Sequence, residues 1–378
     1  MIVLGSLVAA SSLAQVTGGL DAVFANPRGQ RNWLYLGDGE GRFARTDVGG
    51  DADVTLGVAL GFVDGDAHLD AVFANSEFQR NRVCLGDGWG GFSCFDVSED
   101  QFYSYDVALG LVDSDSNLDA VFANRSDPNR ICLGDGMGGF SCSDVEFETH
   151  ETEAVALGFV NGDSHLDAVF ANGLSAKNRV CLGDGAGIFT CSDVSDDQDS
   201  TYAVALGNVD GDPHLDALFA NFFGRNRVCL GDGNVGFSCS NITDDQDYTE
   251  GVALGLVDGD NHLDAIFANR NNPNLVCLGD GAGGFACSNV VEETIKSFGV
   301  ALGLIDSDQN LDAVFANREA PSHLCLGDGV GGFNCSDLEG GDGWGGNVAL
   351  GEGASFLFID GFESGDTSGW LVNPLSFR

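Results

Sequence analysis

Short acidic loops of constant form are the stretches of this chain best suited to chemistry. They read FVDGDAHLD, LVDSDSNLD, FVNGDSHLD, NVDGDPHLD, LVDGDNHLD and LIDSDQNLD, at residues 62–70, 111–119, 159–167, 208–216, 256–264 and 304–312. Carboxylates this close repel one another unless a cation neutralises them. Oxygen ligands in a flexible loop suit Ca²⁺ better than Mg²⁺, and one histidine per loop is too few for Zn²⁺. The alternative is a metal-free turn in which the carboxylates cap backbone amides.

The cysteines form a second chemical pattern. All 12 fall into pairs ten residues apart: Cys84/Cys94, Cys132/Cys142, Cys181/Cys191, Cys229/Cys239, Cys277/Cys287 and Cys325/Cys335. The first repeat has Tyr35 and Arg45 at these positions, so both partners are lost together, as expected for a bonded pair. Because each pair flanks a Gly-rich turn, its members would lie opposite each other on antiparallel strands, within disulfide range. Six structural disulfides imply an oxidising compartment.

These loops and cysteines belong to a repeat that runs through most of the chain. The motif LDA[VLI]FAN occurs seven times from Leu20 onwards, and VALG occurs seven times from Val58 onwards, both at spacings of 48 or 49 residues. Each repeat contains four short apolar stretches, for example VALGFV, LDAVFAN, NRVCLGD and GFSCFDV, of which the last two flank the Gly-rich turn. Four strands in a unit of this length indicate a propeller blade. The sequence predicts an all-β fold, a seven-bladed β-propeller over residues 15–351.

The two ends of the repeat array predict how the ring closes. The first repeat lacks a VALG strand, whereas the last VALG, at 348–351, has no LDAVFAN after it. We expect residues 348–351 to pair with residues 20–26, which would complete one blade from both termini and leave no exposed edge. Residues 1–14 are expected to be a signal peptide because a short apolar run ends in small residues. Residues 352–378 are expected to be a disordered or loosely docked tail.

The pattern VALGxVDGDxxLDAVFAN…LGDGxGGF resembles the FG-GAP and VCBS repeats of bacterial surface proteins and, more distantly, the N-terminal propeller of integrin alpha subunits. The resemblance covers residues 15–351. It implies a calcium loop, DxDxDxxxD, with side-chain ligands at positions 1, 3, 5 and 9 and a backbone carbonyl at position 7. It also implies a secreted or cell-surface protein from a bacterium.

Carried over to this sequence, the resemblance implies up to six Ca²⁺ sites. Position 3 is Asp64, Asp113, Asn161, Asp210, Asp258 and Asp306. Position 5 is Asp66, Asp115, Asp163, Asp212, Asp260 and Asp308. Position 7, through its carbonyl, is His68, Asn117, His165, His214, His262 and Asn310. Position 9 is Asp70, Asp119, Asp167, Asp216, Asp264 and Asp312.

Position 1 departs from the family pattern. It is Phe or Leu in five loops, and only Asn208 could supply an oxygen there. The sites are therefore expected to bind Ca²⁺ weakly, with the 208–216 loop the strongest. Extracellular calcium would still fill sites of millimolar affinity.

Composition excludes some partners. The formal net charge is −42, from 58 acidic and 16 basic residues, so no basic surface is available to neutralise the phosphates of a nucleic acid. The apolar run at the N-terminus is too short to span a bilayer, and no transmembrane span is expected in the mature chain. We expect a monomer.

Variation between repeats concentrates in the loops of one face. Loops after the second strand of each repeat differ, at residues 76–80, 125–129, 173–177, 222–225, 270–273 and 318–322, and so do loops after the fourth strand, at 98–105, 146–153 and 195–202. Variable loops on a regular scaffold are typical of a recognition surface, although drift in unconstrained loops would look the same. A protein or carbohydrate ligand is expected on this face.

No catalytic motif stands out in the sequence. His150 and His323 lie in variable loops and have no evident partner base. We therefore expect no enzymatic activity, and predict a secreted calcium-binding propeller that acts as a binding or adhesion module. The alternatives are a polysaccharide-acting enzyme of the lyase type, which would need a charged cluster in the central channel, and a purely structural surface protein.

Overall fold

The computed structural model describes residues 19–243, 246–338 and 345–352. The predicted signal peptide at 1–14 lies outside the described residues, as does the predicted tail beyond residue 352. Within these ranges the chain is all-β, as predicted, and forms 28 strands. None of the described residues forms a helix with the length and hydropathy needed to cross a bilayer.

The strands follow the repeat, four to a unit. In chain order they are β1 Leu20–Phe24, β2 Asn32–Gly37, β3 Phe43–Val48, β4 Thr55–Gly61, β5 Asp70–Asn75, β6 Arg82–Gly86, β7 Phe92–Asp96, β8 Ser104–Gly110, β9 Asp119–Asn124, β10 Arg130–Gly134, β11 Phe140–Asp144, β12 Thr152–Gly158, β13 Asp167–Asn172, β14 Arg179–Gly183, β15 Phe189–Asp193, β16 Thr201–Gly207, β17 Asp216–Gly224, β18 Arg227–Gly231, β19 Phe237–Asn241, β20 Asp247–Gly255, β21 Asp264–Asn269, β22 Leu275–Gly279, β23 Phe285–Asn289, β24 Lys296–Gly303, β25 Asp312–Arg318, β26 His323–Gly327, β27 Phe333–Asp337 and β28 Val348–Glu352.

Each unit folds into an antiparallel four-stranded sheet. The strands pair in chain order within it, as in β4-β5-β6-β7 and β24-β25-β26-β27. The units β16–β19 and β20–β23 are joined into one eight-stranded sheet because Phe222 of β17 also pairs with Tyr248 of β20. The first strand of a unit starts earlier than VALG alone predicted. β4 begins at Thr55, whose hydroxyl donates to Asn75 Oδ1 at 2.7 Å.

The last described strand pairs with the first. β28 lies antiparallel to β1, with Val348 opposite Phe24 and Glu352 opposite Leu20, in the order β28-β1-β2-β3. The first strands of successive units also contact one another, from β4 to β8, β12, β16, β20 and β24. β24 contacts β28, and β28 contacts β4.

The apolar core lies between neighbouring sheets. The second strands are buried along their whole length because a sheet covers each of their faces. Phe122 of β9, for example, is fully buried against Val72 and Ala74 of the preceding sheet. Burial of one such side chain contributes about 1.5–3 kcal/mol.

Buried asparagines link one sheet to the next. Ser104 Oγ donates to Asn124 Oδ1 at 2.7 Å, and Asn129 Oδ1 accepts from the Asn124 backbone N–H at 2.8 Å. Asn129 Nδ2 then donates to Thr152 Oγ1 of the following sheet at 3.2 Å. Most of the same steps recur from Thr55 as far as Ser297 and satisfy these buried polar groups, although Asn172 Oδ1 has no partner.

The six predicted disulfides are confirmed. Each joins the third strand of a unit to the fourth, between residues that face each other in the register, such as Cys84 and Cys94. The Cα atoms are 3.9 Å apart in the Cys84–Cys94 pair, closer than the expected range. In the first unit Tyr35 faces Arg45, and the Tyr35 ring fills the core instead. Six disulfides support an extracellular or secreted protein.

Candidate functional site

The acidic loops fold as successive side-chain-capped turns. In the 62–70 loop, Asp64 Oδ1 accepts from the backbone N–H of Asp66 at 3.0 Å, and Asp66 Oδ1 accepts from that of His68 at 2.6 Å. The other loops repeat both bonds. The side chains at positions 3 and 5 still reach solvent, whereas the position 7 side chain lies against the glycine of the neighbouring hairpin, as His68 does at Gly88.

The aspartates at position 9 have a clear structural role. Asp70 is fully buried, and its Oδ2 accepts from the Val63 N–H at 2.8 Å while its Oδ1 accepts from the Gly86 N–H at 2.9 Å. It thereby ties the acidic loop to the end of β6. The equivalent bonds are made by Asp119, Asp167, Asp216, Asp264 and Asp312. Because both oxygens cap amides, these carboxylates need no metal to be satisfied.

The loops differ in how well they fit a cation. Among the described residues, the 304–312 loop is the acidic loop whose three carboxylates, from Asp306, Asp308 and Asp312, bring oxygens within 4.8 Å of one another. In the 208–216 loop, expected to be the strongest, Asn208 Oδ1 accepts from the Gly211 N–H at 2.8 Å. The oxygen chemistry of the 304–312 loop fits Ca²⁺.

The two isolated histidines do have carboxylate neighbours, contrary to the sequence-based expectation. His150 Nε2 lies 3.2 Å from Glu146 Oε1, and His323 Nε2 lies 3.2 Å from Asp337 Oδ1. Glu146 lies in the same variable loop as His150, whereas Asp337 comes from β27, the strand that pairs with the strand of His323. Glu146 also binds Arg179 at 3.0 Å, so this cluster is occupied by ion pairing.

A cavity of about 620 Å³ lies between the first strands of the sheets. Its lining includes residues of β4, β8, β12, β16, β20, β24 and β28. The VALG side chains form the apolar part of its wall. The end at which the first strands begin is different, because it carries arginine, glutamate and aromatic side chains. This end belongs to the variable face, meaning the face that carries the loops before each first strand and after each second strand.

A β-bulge in six of the repeats directs one variable side chain into this cavity. In each of these first strands the pairing register skips the residue that follows a recurring Ser or Thr. The skipped residues are Leu56, Tyr105, Glu153, Tyr202, Glu250 and Phe298. All six line the cavity. Bulges bend a strand and redirect its side chains, so the scaffold can stay constant while the lining changes.

Three arginines complete the charged end of the cavity. Arg125, Arg270 and Arg318 each directly follow the FAN asparagine of a second strand, and all three line the cavity. Together with Tyr105, Glu153, Tyr202, Glu250 and Phe298 they form what we call the channel cluster. Three arginines in one place are notable in a chain with 16 basic residues in total.

Arg125 is held by several partners. Its Nη1 donates to Tyr105 Oη at 2.9 Å, and its Nε donates to Glu151 Oε2 at 2.9 Å. Its Nη2 lies 3.4 Å from Glu153 Oε1. These contacts fix the guanidinium beside the Tyr105 ring, whose centroid is 5.2 Å away.

The other half of the cluster combines arginines with aromatic rings. Arg270 Nη1 donates to Glu250 Oε1 at 3.4 Å. The Arg318 guanidinium lies 3.6 Å from the centroid of the Phe298 ring, and Tyr202 stacks on Phe222 at 4.7 Å. Cation–π contacts of this kind contribute about 0.5–2 kcal/mol.

The carboxyl groups of the cluster are costly to ionise. Burial raises the pKa of Glu153 to about 7, against the opposing effect of Arg125. Burial likewise raises the pKa of Glu250 to about 7, although Arg270 and Arg318 oppose it. Burial and the two nearby glutamates raise the pKa of Tyr202 to about 12. Perturbed groups gathered in a cavity are typical of functional sites.

Exposed apolar side chains occur on the variable face. Phe78 and Leu174 follow second strands and Phe223 lies near the end of β17, and they are 57%, 63% and 62% exposed. Each has a positive φ, of 59°, 50° and 60°. Bulky side chains seldom adopt this conformation, and strained positions cluster at binding sites.

Sequence reasoning predicted the variable face but not the channel cluster. The variable loops already included Tyr105, Arg125, Glu153, Arg270 and Arg318, yet only as parts of surface loops. One signal was present in the sequence. In six repeats the residue two places before VALG varies, whereas the residue directly before this variable residue is always Ser or Thr. The bulge that turns this residue inward could not be read from one strand alone.

Comparisons with known proteins support the fold. No protein-family model matches the chain, and a search of curated proteins found no match. The predicted FG-GAP and VCBS relationship therefore has no support from a family model. Similar solved structures are β-propeller folds, in keeping with the repeated four-stranded sheets.

Three of these structures cover nearly the whole repeat region. A lectin from Agrocybe aegerita that recognises non-reducing terminal N-acetylglucosamine has a TM-score of 0.64 at 16% identity, covering 90% of this chain and 97% of the lectin. A candidate 6-phosphogluconolactonase from Bacteroides uniformis has a TM-score of 0.63 at 9% identity, covering 88% and 99%. A periplasmic gluconolactonase from Pseudomonas aeruginosa has a TM-score of 0.57 at 12% identity, covering 89% and 100%.

The expectation of no enzymatic activity is corrected by these findings. Two of the three similar structures bear the names of lactone-hydrolysing enzymes. The cavity also carries the charged cluster that we had required of an enzyme, from residues that the motif search did not connect. The fold alone does not decide between binding and catalysis.

Proposed function

We propose that this protein is an extracellular carbohydrate-binding β-propeller whose ligand enters the central cavity from the variable face. The observation that carries the proposal is the channel cluster, in which bulge residues place aromatic rings and hydrogen-bonding groups together at the mouth of a cavity. Ligand sites are typically concave and largely apolar, with a few convergent polar groups.

The side chains of the cluster match the surface of a sugar. Tyr105, Tyr202 and Phe298 offer flat apolar rings for the C–H face of a pyranose. Glu153 and Glu250 accept or donate hydrogen bonds according to their protonation, while arginines donate in a fixed fork. The lectin among the similar structures recognises a sugar, which adds support of the same kind.

The finer description of the fold forms part of this proposal. We propose a ring of seven blades closed through β1 and β28, of the FG-GAP and VCBS type. The pairing of β28 with β1, and its contacts with both β24 and β4, support closure. The ligand, rather than a nucleic acid, would be a glycan of a surface to which the protein adheres as a monomer.

A glycan array, followed by titration of the ligands found, tests the binding function. Tyr202→Ala and Phe298→Ala should each weaken binding at least about tenfold because each removes a stacking surface. Trp89→Ala is the matched control, since Trp89 is an aromatic residue 76% exposed on a hairpin of the opposite face. Binding that Trp89→Ala weakens while both cavity variants leave it intact would contradict the proposed site.

Acid–base catalysis on a carbohydrate is the second candidate function. It is favoured by Glu153 and Glu250, whose pKa values of about 7 suit proton transfer near neutral pH. Incubation of bound glycans and of sugar lactones with the protein, with products separated by chromatography, tests it. Product release that Glu153→Gln or Glu250→Gln abolishes supports catalysis, whereas intact glycans support binding alone.

Calcium binding is proposed for the 304–312 loop. Asp306, Asp308 and Asp312 would hold the ion, which would offset their mutual repulsion. Mass action then predicts a higher melting temperature in millimolar Ca²⁺ than in EDTA. Asp308→Asn should remove this difference, and an identical melt of the parent protein under both conditions would refute the proposal.

A further inference from the structure

The three arginines of the channel cluster differ in their ion-pair partners. Arg125 has Glu151 and Glu153 as carboxylate partners, and Arg270 has Glu250. Among the described residues, no ion pair or hydrogen bond is formed by Arg318, and its Nε is buried without a partner, as are the Nε atoms of Arg82 and Arg130. The cluster therefore presents one arginine whose hydrogen-bonding capacity is unused.

The setting of Arg318 differs from that of arginines elsewhere in the fold. Arg82, Arg130 and Arg179 each bind the aspartate that faces them on the fourth strand of their own sheet. Arg318 instead stacks on Phe298 and lines the cavity. Burial lowers its pKa to about 10, so it still carries its charge at neutral pH. Glu250 is near enough to favour the charged form of Arg318, but no described carboxylate hydrogen-bonds to its guanidinium, so an incoming anion would stabilise this partly buried charge.

We propose that the carbohydrate bound in the cavity bears a carboxylate group, as a uronic acid does, and that this carboxylate pairs with the guanidinium of Arg318. The inference rests on the proposed function and specifies its ligand class. Guanidinium and carboxylate groups match as bidentate hydrogen-bonding partners. Phe298 lies against the guanidinium and holds it in place. Because Nε is buried, the carboxylate would pair with the two Nη atoms.

The charge of the whole chain limits the ligand further. A net charge of −42 repels a polyanion at long range, and physiological salt screens this repulsion at distances beyond about 8 Å. The cavity of about 620 Å³ is the size of a small-molecule pocket. A single acidic sugar at the end of a short chain therefore fits better than a long, densely charged polymer.

A pair of ligands that differ only in charge gives the sharpest test. Galacturonate and its methyl ester share one sugar skeleton, and glucuronate and glucose form a second pair. We would titrate each into the parent protein and into Arg318→Gln, Arg318→Lys and Arg31→Gln. The last is the matched control, because it removes the same charge from an arginine that is 53% exposed and bound to Asp47. Thermal melts confirm that each variant is folded.

The parent protein should bind the uronate at least about tenfold more tightly than the ester, as expected for a charge-assisted hydrogen bond. Arg318→Gln should remove this preference, Arg318→Lys should restore part of it, and Arg31→Gln should keep it. Equal binding of uronate and ester, or a preference that survives Arg318→Gln, overturns the inference. If neutral glycans then still bind and Tyr202→Ala abolishes their binding, the proposed carbohydrate binding stands without the pairing of a carboxylate with Arg318. If no glycan of either kind binds, both proposals fall.

Discussion

Glu153 and Glu250 show how single residues of the cavity affect the stability of the fold. Their side chains are 2% and 8% exposed, and burial is the main cause of their raised pKa values. A carboxyl with a raised pKa keeps its proton in the folded state after the unfolded chain has released it. Such a group stabilises the fold below its unfolded pKa, and this contribution is lost as pH rises to the folded value.

The free energy of unfolding should therefore fall between about pH 4.5 and pH 7, by up to about 3 kcal/mol for each of the two groups. Glu153→Gln and Glu250→Gln should each flatten this decline, because glutamine does not titrate. Urea unfolding at pH 4.5 and pH 8 measures the effect, with Glu40→Gln, at an exposed hairpin position, as the control. A decline as steep in both cavity variants as in the parent would contradict the assignment.

The position 9 aspartates lead to a second prediction at this scale. Asp70→Asn leaves one acceptor oxygen where two backbone amides, of Val63 and Gly86, now donate. The unfolding free energy should fall by about 1–3 kcal/mol, the cost of an unsatisfied buried donor. If the role of Asp70 is structural, urea unfolding should show the same loss in EDTA as in millimolar Ca²⁺. A loss seen only with Ca²⁺ would show instead that Asp70 acts as a ligand.

The first strand of each unit has two adjacent parts with different structural roles. The VALG part is buried between sheets and also borders the apolar part of the cavity, whereas the bulge residue before it lies at the charged end of the cavity. Because a bulge residue is unpaired in the ladder, its identity can change without altering the register of the strand. This explains how Leu56, Glu153 and Tyr202 occupy equivalent positions in otherwise similar strands.

Two leucines of β4 test this division. Leu60→Ala should lower the unfolding free energy by about 2–4 kcal/mol, because Leu60 is buried in the core between sheets. Leu56→Ala should cost less than about 1 kcal/mol, because its side chain is partly exposed in the cavity. The two variants remove the same atoms, so denaturant unfolding compares them directly. Equal losses would show that the bulge position belongs to the core.

At the scale of the whole molecule, the pairing of β28 with β1 predicts a strong effect of a small truncation. A chain that ends after residue 346 lacks β28, which leaves one edge of β1 unpaired and removes the contacts of β28 with β24 and β4. It should melt well below a chain that ends after residue 352, which keeps every described strand. Equal melting temperatures of these two chains would contradict closure through β28.

The fold was more predictable from the sequence than the site, for a physical reason. The strand pattern, the repeat spacing and the joint loss of cysteines at Tyr35 and Arg45 depend on residues close in sequence. The bonds of Asp70 involve Gly86, sixteen residues later. The channel cluster draws on five first strands and on the ends of three second strands, which are far apart in the chain. Its members meet only because the sheets stand side by side, which no single repeat reveals.

The pairing of β28 with β1 also has a consequence for biosynthesis. More than 300 residues separate the two strands, which at about 5–20 residues per second is a delay on the order of 15–65 seconds. During that time β1 (LDAVF) presents one unpaired, apolar edge, the kind that recruits other chains. The interval between making the first strand and the last is therefore when this protein is most exposed to misassembly, and a chaperone would protect it most by covering β1.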